Sequence, residues 1–262
     1  MIKEFEIIKV TRENTTREYD KVVLEVPLTI KVNNEDYITI MCTPIKLKEL
    51  GVGFLFNEGI IKSKRDIEKI ELIEGERNIF SIELKEGLDF KTLYKNRVVT
   101  SGSKGSLYYD AMDFMNEIKF NNNIKVDKTE IMDTMKDFFT RSDIFEETGG
   151  VHSVLLKSKD YEIFREDIGR HNAIDKAIGH LILNDLDVKQ FIIYVSGRLS
   201  SEMVSKISKA KISVAISRAC PTSLSVNLAR KMNMTLIGFS RGNRFNIYSG
   251  EERIDLNEDG VF

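Results

Sequence analysis

Cysteine, histidine, net charge and long apolar runs are all scarce in this chain, and each scarcity removes a class of function. Its two cysteines, Cys42 and Cys220, lie far apart and provide no disulfide framework. The three histidines, His152, His171 and His180, lack metal-ligand spacing, so no metal site is expected. A formal net charge of −2 argues against wholesale binding to nucleic acid or to a membrane surface. No apolar run approaches the roughly 18 residues of a membrane span. The start, Met1-Ile2-Lys3-Glu4-Phe5-Glu6, is charged and alternating, unlike a signal peptide. A cytoplasmic location is the expectation.

What is present describes a globular chain: 42% hydrophobic and 31% charged residues over 262 positions, enough for two domains of ordinary size. Residues 1–98 read as a small α+β domain. Apolar, β-rich segments lie at Glu4 to Thr11, Val22 to Val32 and Tyr37 to Cys42, with a turn at Asn33-Asn34. Leu47, Leu50, Phe54 and Leu55 mark a helix over Lys46 to Glu58 that Gly59 ends. Strands follow at Lys69 to Ile73 and Asn78 to Leu84. Residues 99–106 then form an apolar-poor stretch of serine and glycine, taken as a flexible loop. Residues 107–262 read as an α/β sandwich. It opens with a helix capped by Ser106 and a second helix over Lys128 to Thr140, and continues with strands that alternate with helical stripes.

The most informative pattern is four arginines at strand-to-loop junctions of this second half: Arg170 in D-I-G-R-H-N, Arg198 in V-S-G-R-L-S-S, Arg218 in I-S-R-A-C-P-T and Arg241 in G-F-S-R-G-N-R. In an open α/β sheet the carboxyl ends of parallel strands share an edge where ligands bind. Guanidinium groups and helix N-termini gathered there suit phosphate or pyrophosphate, so a nucleotide-like anion is expected. The hexapeptide Phe239, Ser240, Arg241, Gly242, Asn243, Arg244 is the sharpest candidate, because Gly242 permits close backbone approach and two arginines flank it. His171, beside Arg170, is a further candidate contact. Solvated loop arginines, or partners for Glu166, Asp167 and Glu202, are the competing reading.

Several long motifs resemble the FdhD family of formate dehydrogenase accessory sulfur-carrier proteins. They are T-P-I-K-L-K-E-L-G-V-G-F-L-F-N-E-G at 43–59, G-G-V-H-S at 149–153, R-E-D-I-G-R-H-N-A-I-D-K at 165–176, V-S-G-R-L-S-S-E-M at 195–203, P-T-S-L-S at 221–225 and G-F-S-R-G-N-R-F-N-I-Y at 238–248. The resemblance implies a cytidine-deaminase-like C-terminal fold without the zinc chemistry. It also implies sulfur received from a cysteine desulfurase and passed to the bis-molybdopterin guanine dinucleotide molybdenum cofactor for formate dehydrogenase. A GDP-like guanine nucleotide is the natural surrogate for that ligand. Deaminase-like folds often pair, so a homodimer is expected. The deaminase signature H-x-E with P-C-x-x-C is absent, and no zinc is expected.

One departure matters. The resemblance places the family's sulfur-carrying C-x-x-C at Ser103 and Ser106. A hydroxyl cannot form or exchange a persulfide, which needs a thiolate and a low-pKa leaving group. Three readings remain open: a member that binds and delivers the cofactor without carrying sulfur, a substitute thiol, for which Cys220 between Arg218 and Pro221-Thr222 is the better candidate, or a divergent protein with another client. A nucleotide-processing enzyme or a nucleotide-binding regulator is the alternative outside this class.

Overall fold

The computed structural model describes residues 1–75, 77–86, 118–122 and 124–256. Strands β1 (Ile2–Val10) and β2 (Thr15–Val23) form an antiparallel ribbon of their own. Strands β3 (Val26–Val32), β4 (Glu35–Cys42), β5 (Ile67–Ile73) and β6 (Asn78–Leu84) form a four-stranded sheet of order β4-β3-β6-β5. The expected turn between β3 and β4 is there, with Asn33 at φ 49° and Asn34 at φ 65°. Paired positive φ values suit asparagine and the twist of a tight hairpin. Helix α1 (Leu47–Asn57) lays Leu47, Leu50, Val52 and Leu55 on this sheet, which supplies Leu28, Ile30, Phe80 and Ile82 to the same core.

The remainder contains β7 (Val126–Asp127), α2 (Lys128–Thr140), α3 (Asp143–Thr148), β8 (His152–Lys157), β9 (Glu162–Asp167), α4 (Arg170–Leu183), β10 (Ile192–Val195), α5 (Ser201–Lys209), β11 (Val214–Ser217), α6 (Ser223–Lys231), β12 (Thr235–Arg241), β13 (Arg244–Ser249) and β14 (Ile254–Asp255). Helix α2 falls where its stripe places it, and Asp127 caps it by accepting the N–H groups of Thr129 and Glu130. Six strands make one mixed sheet of order β13-β12-β11-β10-β8-β9. Strands β10, β11 and β12 are parallel, and β8 is antiparallel to both β10 and β9. The strands β9 to β12 therefore all run the same way, and their carboxyl ends share one edge.

Helices cover both faces of that sheet, so its strands are apolar on both sides. Val154, Ile193, Val195 and Leu236 pack with α4, α5 and α6, while Leu155, Tyr194, Ile216 and Ile237 pack with Ile131, Met135 and Phe138 of α2. The short α3 and the paired two-residue strands β7 and β14 carry too few residues for periodicity to show them. The helix expected after Ser106 lies outside the described residues. No helix among the described residues is long and apolar enough to cross a membrane.

The two cores meet where α1 crosses α4. Sequence periodicity assigns α1 one apolar face, but both faces are buried, because Glu49, Gly51 and Gly53 are covered as well. A Cβ on Gly53 would lie 1.8 Å from the carbonyl oxygen of Asp175, and one on Gly179 would lie 1.9 Å from that of Glu49. Only hydrogen fits at either position, and the backbones touch. Helix propensity alone would make Gly53→Ala stabilising by about 1 kcal/mol. The crossing reverses that sign, and urea unfolding of Gly53→Ala or Gly179→Ala should show a loss of about 1–3 kcal/mol from overpacking.

Candidate functional site

The turn from β9 into α4 is fixed from inside the protein. Asp167, at the end of β9, is fully buried and pairs with the equally buried Lys176 at 2.6 Å. Its carboxylate also accepts from the backbone N–H (3.1 Å) and hydroxyl (3.0 Å) of Thr43, from Gly169 N–H (2.9 Å) and from Asn172 Nδ2 (2.9 Å). Lys176 completes the set by donating to the Thr43 hydroxyl at 2.6 Å and to the Glu166 carbonyl at 3.1 Å. Glu166 is buried too and accepts from Ser142 and Ser153; burial raises its carboxyl above the usual range. Neither carboxylate is available to Arg170 or to a ligand.

Arg170 opens α4 and is half-buried against the neighbouring turn. A Cβ on Gly197 would sit 3.4 Å from both Arg170 Cβ and His152 Nδ1. The Nε of Arg170 is buried and has no hydrogen-bond partner among the described residues. His152, at the start of β8, shares this corner; burial first, then the neighbouring Arg170 and His171, lowers its pKa below the usual imidazole value. His171 turns elsewhere. Its Nε2 lies 3.1 Å from Oε2 of Glu202 but is not aligned for a hydrogen bond.

The next three turns are laced together through backbone. Leu199 N–H donates to Cys220 O (3.3 Å), Thr222 N–H to Leu199 O (3.1 Å), Arg218 N–H to Val195 O (3.3 Å) and Phe239 N–H to Ala219 O (3.1 Å). Arg241 Nε donates to Arg218 O at 3.0 Å, so the Arg218 and Arg241 turns are in direct contact. The Arg218 guanidinium lies 4.3 Å from the Phe139 ring centre, and that of Arg241 5.7 Å from the ring of Phe239. Phe239 has φ 53°, which no sequence pattern announces for an aromatic residue, and Gly242 follows at φ 56° with nothing within 4 Å of its open side. Arg198, Arg218, Arg241, Gly242, Asn243 and Arg244 are exposed, whereas Ser240 is buried.

The five arginines of this edge make no ion pair among the described residues, and Glu166 and Asp167, weighed from sequence as their partners, are held by Ser142, Ser153, Thr43 and Lys176. By contrast, Arg141, Arg165 and Arg253 are all matched by carboxylates. A cavity of about 350 Å³ holds His171 between the two cores, and one of about 250 Å³ opens beside the arginine edge, lined by Phe138, Phe139, Phe145, His152, Ser196 and Arg218. Phe139 and His152 were not singled out as site residues from sequence. The available signal was the aromatic pair Phe138-Phe139, where one ring fills the core and the other is left over.

Cys220 is half-exposed in the turn before α6, whose N-cap is Thr222. Cys42 is fully buried, and burial pushes its thiol up to about 12. Ser103 and Ser106 lie outside the described residues.

Comparison with known proteins adds four findings. The FdhD/NarQ family model matches residues 23–255. The chain is 36% identical over 237 residues to the sulfur carrier protein FdhD of Bacillus subtilis (strain 168), covering 90% of each. It is 39% identical over 253 residues to that of Geobacillus kaustophilus (strain HTA426), covering 95% of each. Its structure matches the crystal structure of a protein from Desulfotalea psychrophila described as a formate dehydrogenase accessory protein, with TM-score 0.79 and 26% identity over 97% of this chain and 99% of that one.

The two thiols should separate chemically. Alkylation of the native protein at mildly alkaline pH, read by peptide mass spectrometry, should modify Cys220 and leave Cys42 untouched until the protein is unfolded. Equal labelling of both would contradict the burial of Cys42.

Proposed function

Because the chain belongs to the FdhD/NarQ family, we propose that it serves formate dehydrogenase maturation by holding the bis-molybdopterin guanine dinucleotide cofactor at the arginine edge. The observation that carries this reading is the convergence, on the shared carboxyl edge of β9 to β12, of four arginine turns whose guanidinium groups make no ion pair among the described residues. Pyrophosphate is the group such an edge suits, since each guanidinium offers planar, charge-assisted donors. The residues present fit that cargo. The buried Arg170 Nε has no acceptor among the described residues, and the open side of Gly242 lets backbone N–H groups approach an oxygen. Arg170, Arg198, Arg218, Arg241 and Arg244 would hold the anionic groups, and the ring of Phe139 beside Arg218 offers a surface for a planar base.

The strand order β9-β8-β10-β11-β12, with β8 alone reversed and helices on both faces, supports the deaminase-like reading of this half. The sequence carries no deaminase zinc motif, so a nucleotide-processing enzyme is the weaker alternative. The cysteine desulfurase, the homodimer and the formate dehydrogenase client belong to the same proposal.

Sulfur relay takes a different form here from that implied by a C-x-x-C loop. Residues 99–106 contain no cysteine, and no other side chain there can bear a persulfide. The chain therefore acts first as a binding and delivery protein. One observation favours a second reading, in which Cys220 carries the sulfur: it is a half-exposed thiol in the turn that touches Arg218 and Arg241. Incubation with a desulfurase and cysteine, followed by intact-mass measurement, separates the two by the presence or absence of a one-sulfur adduct on Cys220.

The binding reading is tested by calorimetric titration with GDP. Arg218→Ala and Arg241→Ala should each cost about 1.5–3 kcal/mol, the range of a hydrogen bond to a charged group, or roughly ten- to more than a hundredfold in Kd. Absence of GDP binding, or binding that both substitutions leave unchanged, would overturn it.

A further inference from the structure

His152 stands where the arginine edge meets the aromatic cavity beside it. It opens β8 and pairs in register with Asp167 at the end of β9. Its side chain lines the cavity of about 250 Å³ together with Ser196, Arg218 and the rings of Phe138, Phe139 and Phe145. Ser196 holds the imidazole from one side: its Oγ accepts the backbone N–H of Ser153 at 2.9 Å and lies 3.4 Å from Nδ1 of His152. A serine hydroxyl donates as well as accepts. It gives its hydrogen to Nδ1 of a neutral imidazole, and it receives one from Nδ1 of a charged imidazole. The contact therefore serves both protonation states. Nε2 makes no hydrogen bond among the described residues.

Charged and titratable groups face this imidazole from three elements. Helix α4 brings Arg170 and His171, β9 brings Asp167 and, behind Ser153, Glu166, and the turn after β11 brings Arg218. Both carboxylates are already engaged, Asp167 by Lys176 and Thr43, Glu166 by Ser142 and Ser153. Arg170 Nε, by contrast, is buried with no acceptor among the described residues, and the Arg218 guanidinium rests on the Phe139 ring. The imidazole thus shares its corner with guanidinium groups that no carboxylate neutralises.

Such surroundings disfavour a charged imidazole. Burial has the largest effect, Arg170 and then His171 add to it, and Asp167 opposes them without reversing the direction, so the pKa of His152 is lowered. An anion held by Arg170 and Arg218 changes the sign of that field. It offsets the like charges and sets an opposite charge beside the ring, and both changes favour the protonated form.

We propose that His152 is a sixth anion contact of the arginine edge, one that takes a proton from solvent as a phosphate group arrives and returns it when the anion leaves. The proposal rests on the reading of that edge as an anion site and adds that its grip depends on pH. The proton enters at Nδ1, where the Ser196 hydroxyl turns to accept it, and Nε2–H remains a donor. Binding and protonation favour each other by the same factor. Affinity therefore gains nothing above the bound-state pKa of His152, rises as pH falls through it, and levels off below the free-state pKa.

The chain has three histidines, so a proton NMR titration of their Cε1 protons follows each one. His152→Gln identifies the resonance directly, and His171→Gln with His180→Gln identify it by elimination. Saturating GDP should raise the His152 midpoint by about one pH unit, a tenfold change in proton affinity and, by reciprocity, in the Kd of GDP. The midpoint of His180, which is bound to Glu49 away from this edge, should stay where it is. Calorimetric titration with GDP in two buffers of different ionisation enthalpy should show more proton uptake by the wild type than by His152→Gln. The terminal phosphate of GDP also titrates, at about pH 6, but it does so with both proteins, and the difference between them reports His152. The midpoint is read on the unaltered protein, so it does not depend on how a variant folds. GDP binding with the His152 midpoint unmoved or lowered overturns this proposal and leaves the anion site standing. Absence of GDP binding overturns both.

Discussion

The buried ion pair of Asp167 and Lys176 is the contact on which the placement of the rest depends. Both side chains are fully excluded from water, and their hydrogen bonds reach three parts of the chain: the Thr43 turn, the end of β9 and the first turn of α4. A buried pair of this kind contributes little net stability over an apolar replacement, whereas removal of one partner leaves a charge uncompensated at about 3–5 kcal/mol. Its role here is positional. It holds the β9-to-α4 turn in one geometry, so Arg170 emerges beside Gly197 and His171 emerges toward α5.

The same seam continues along α1 and α4. Gly53 and Gly179 bring the helix backbones into contact, and polar clusters flank them on either side. In one cluster Glu49 is held by Arg165 and His180. Burial alone would raise its carboxyl, but the hydrogen bonds from Arg165 and then His180 outweigh it and keep it below the usual range. In the other, Asp175 takes Asn57 and Lys206 together. Buried polar networks at a close crossing specify one relative placement of two packed layers. The cavity around His171 and the cavity beside the arginine edge both inherit their shape from that placement.

The sequence was legible where periodicity or turn chemistry is strong. Helix α2, the Asn33-Asn34 turn and the alternating strands and helices from β10 to β12 followed from side-chain spacing alone. The convergence of the arginine turns followed from one rule about parallel strands, because β9 to β12 run the same way. Other features were hidden for physical reasons. Glu166 and Asp167 look like ligand-facing carboxylates in the motif around Arg170, yet their partners are Ser142, Ser153, Thr43 and Lys176, of which the first three are distant in sequence or on another layer. The second buried face of α1 was invisible because it is made by glycines, which carry no apolar signal. The positive φ of Phe239 is a property of tertiary pairing, and no local pattern encodes it.

The central claim is that separate turns build one anion site. Hydrogen exchange of the backbone amides, with and without saturating GDP, tests it most directly. The account predicts that protection rises together in the turns containing Arg170, Arg198, Arg218 and Arg241. Protection confined to one turn, or none at the carboxyl edge of β9 to β12, would contradict it.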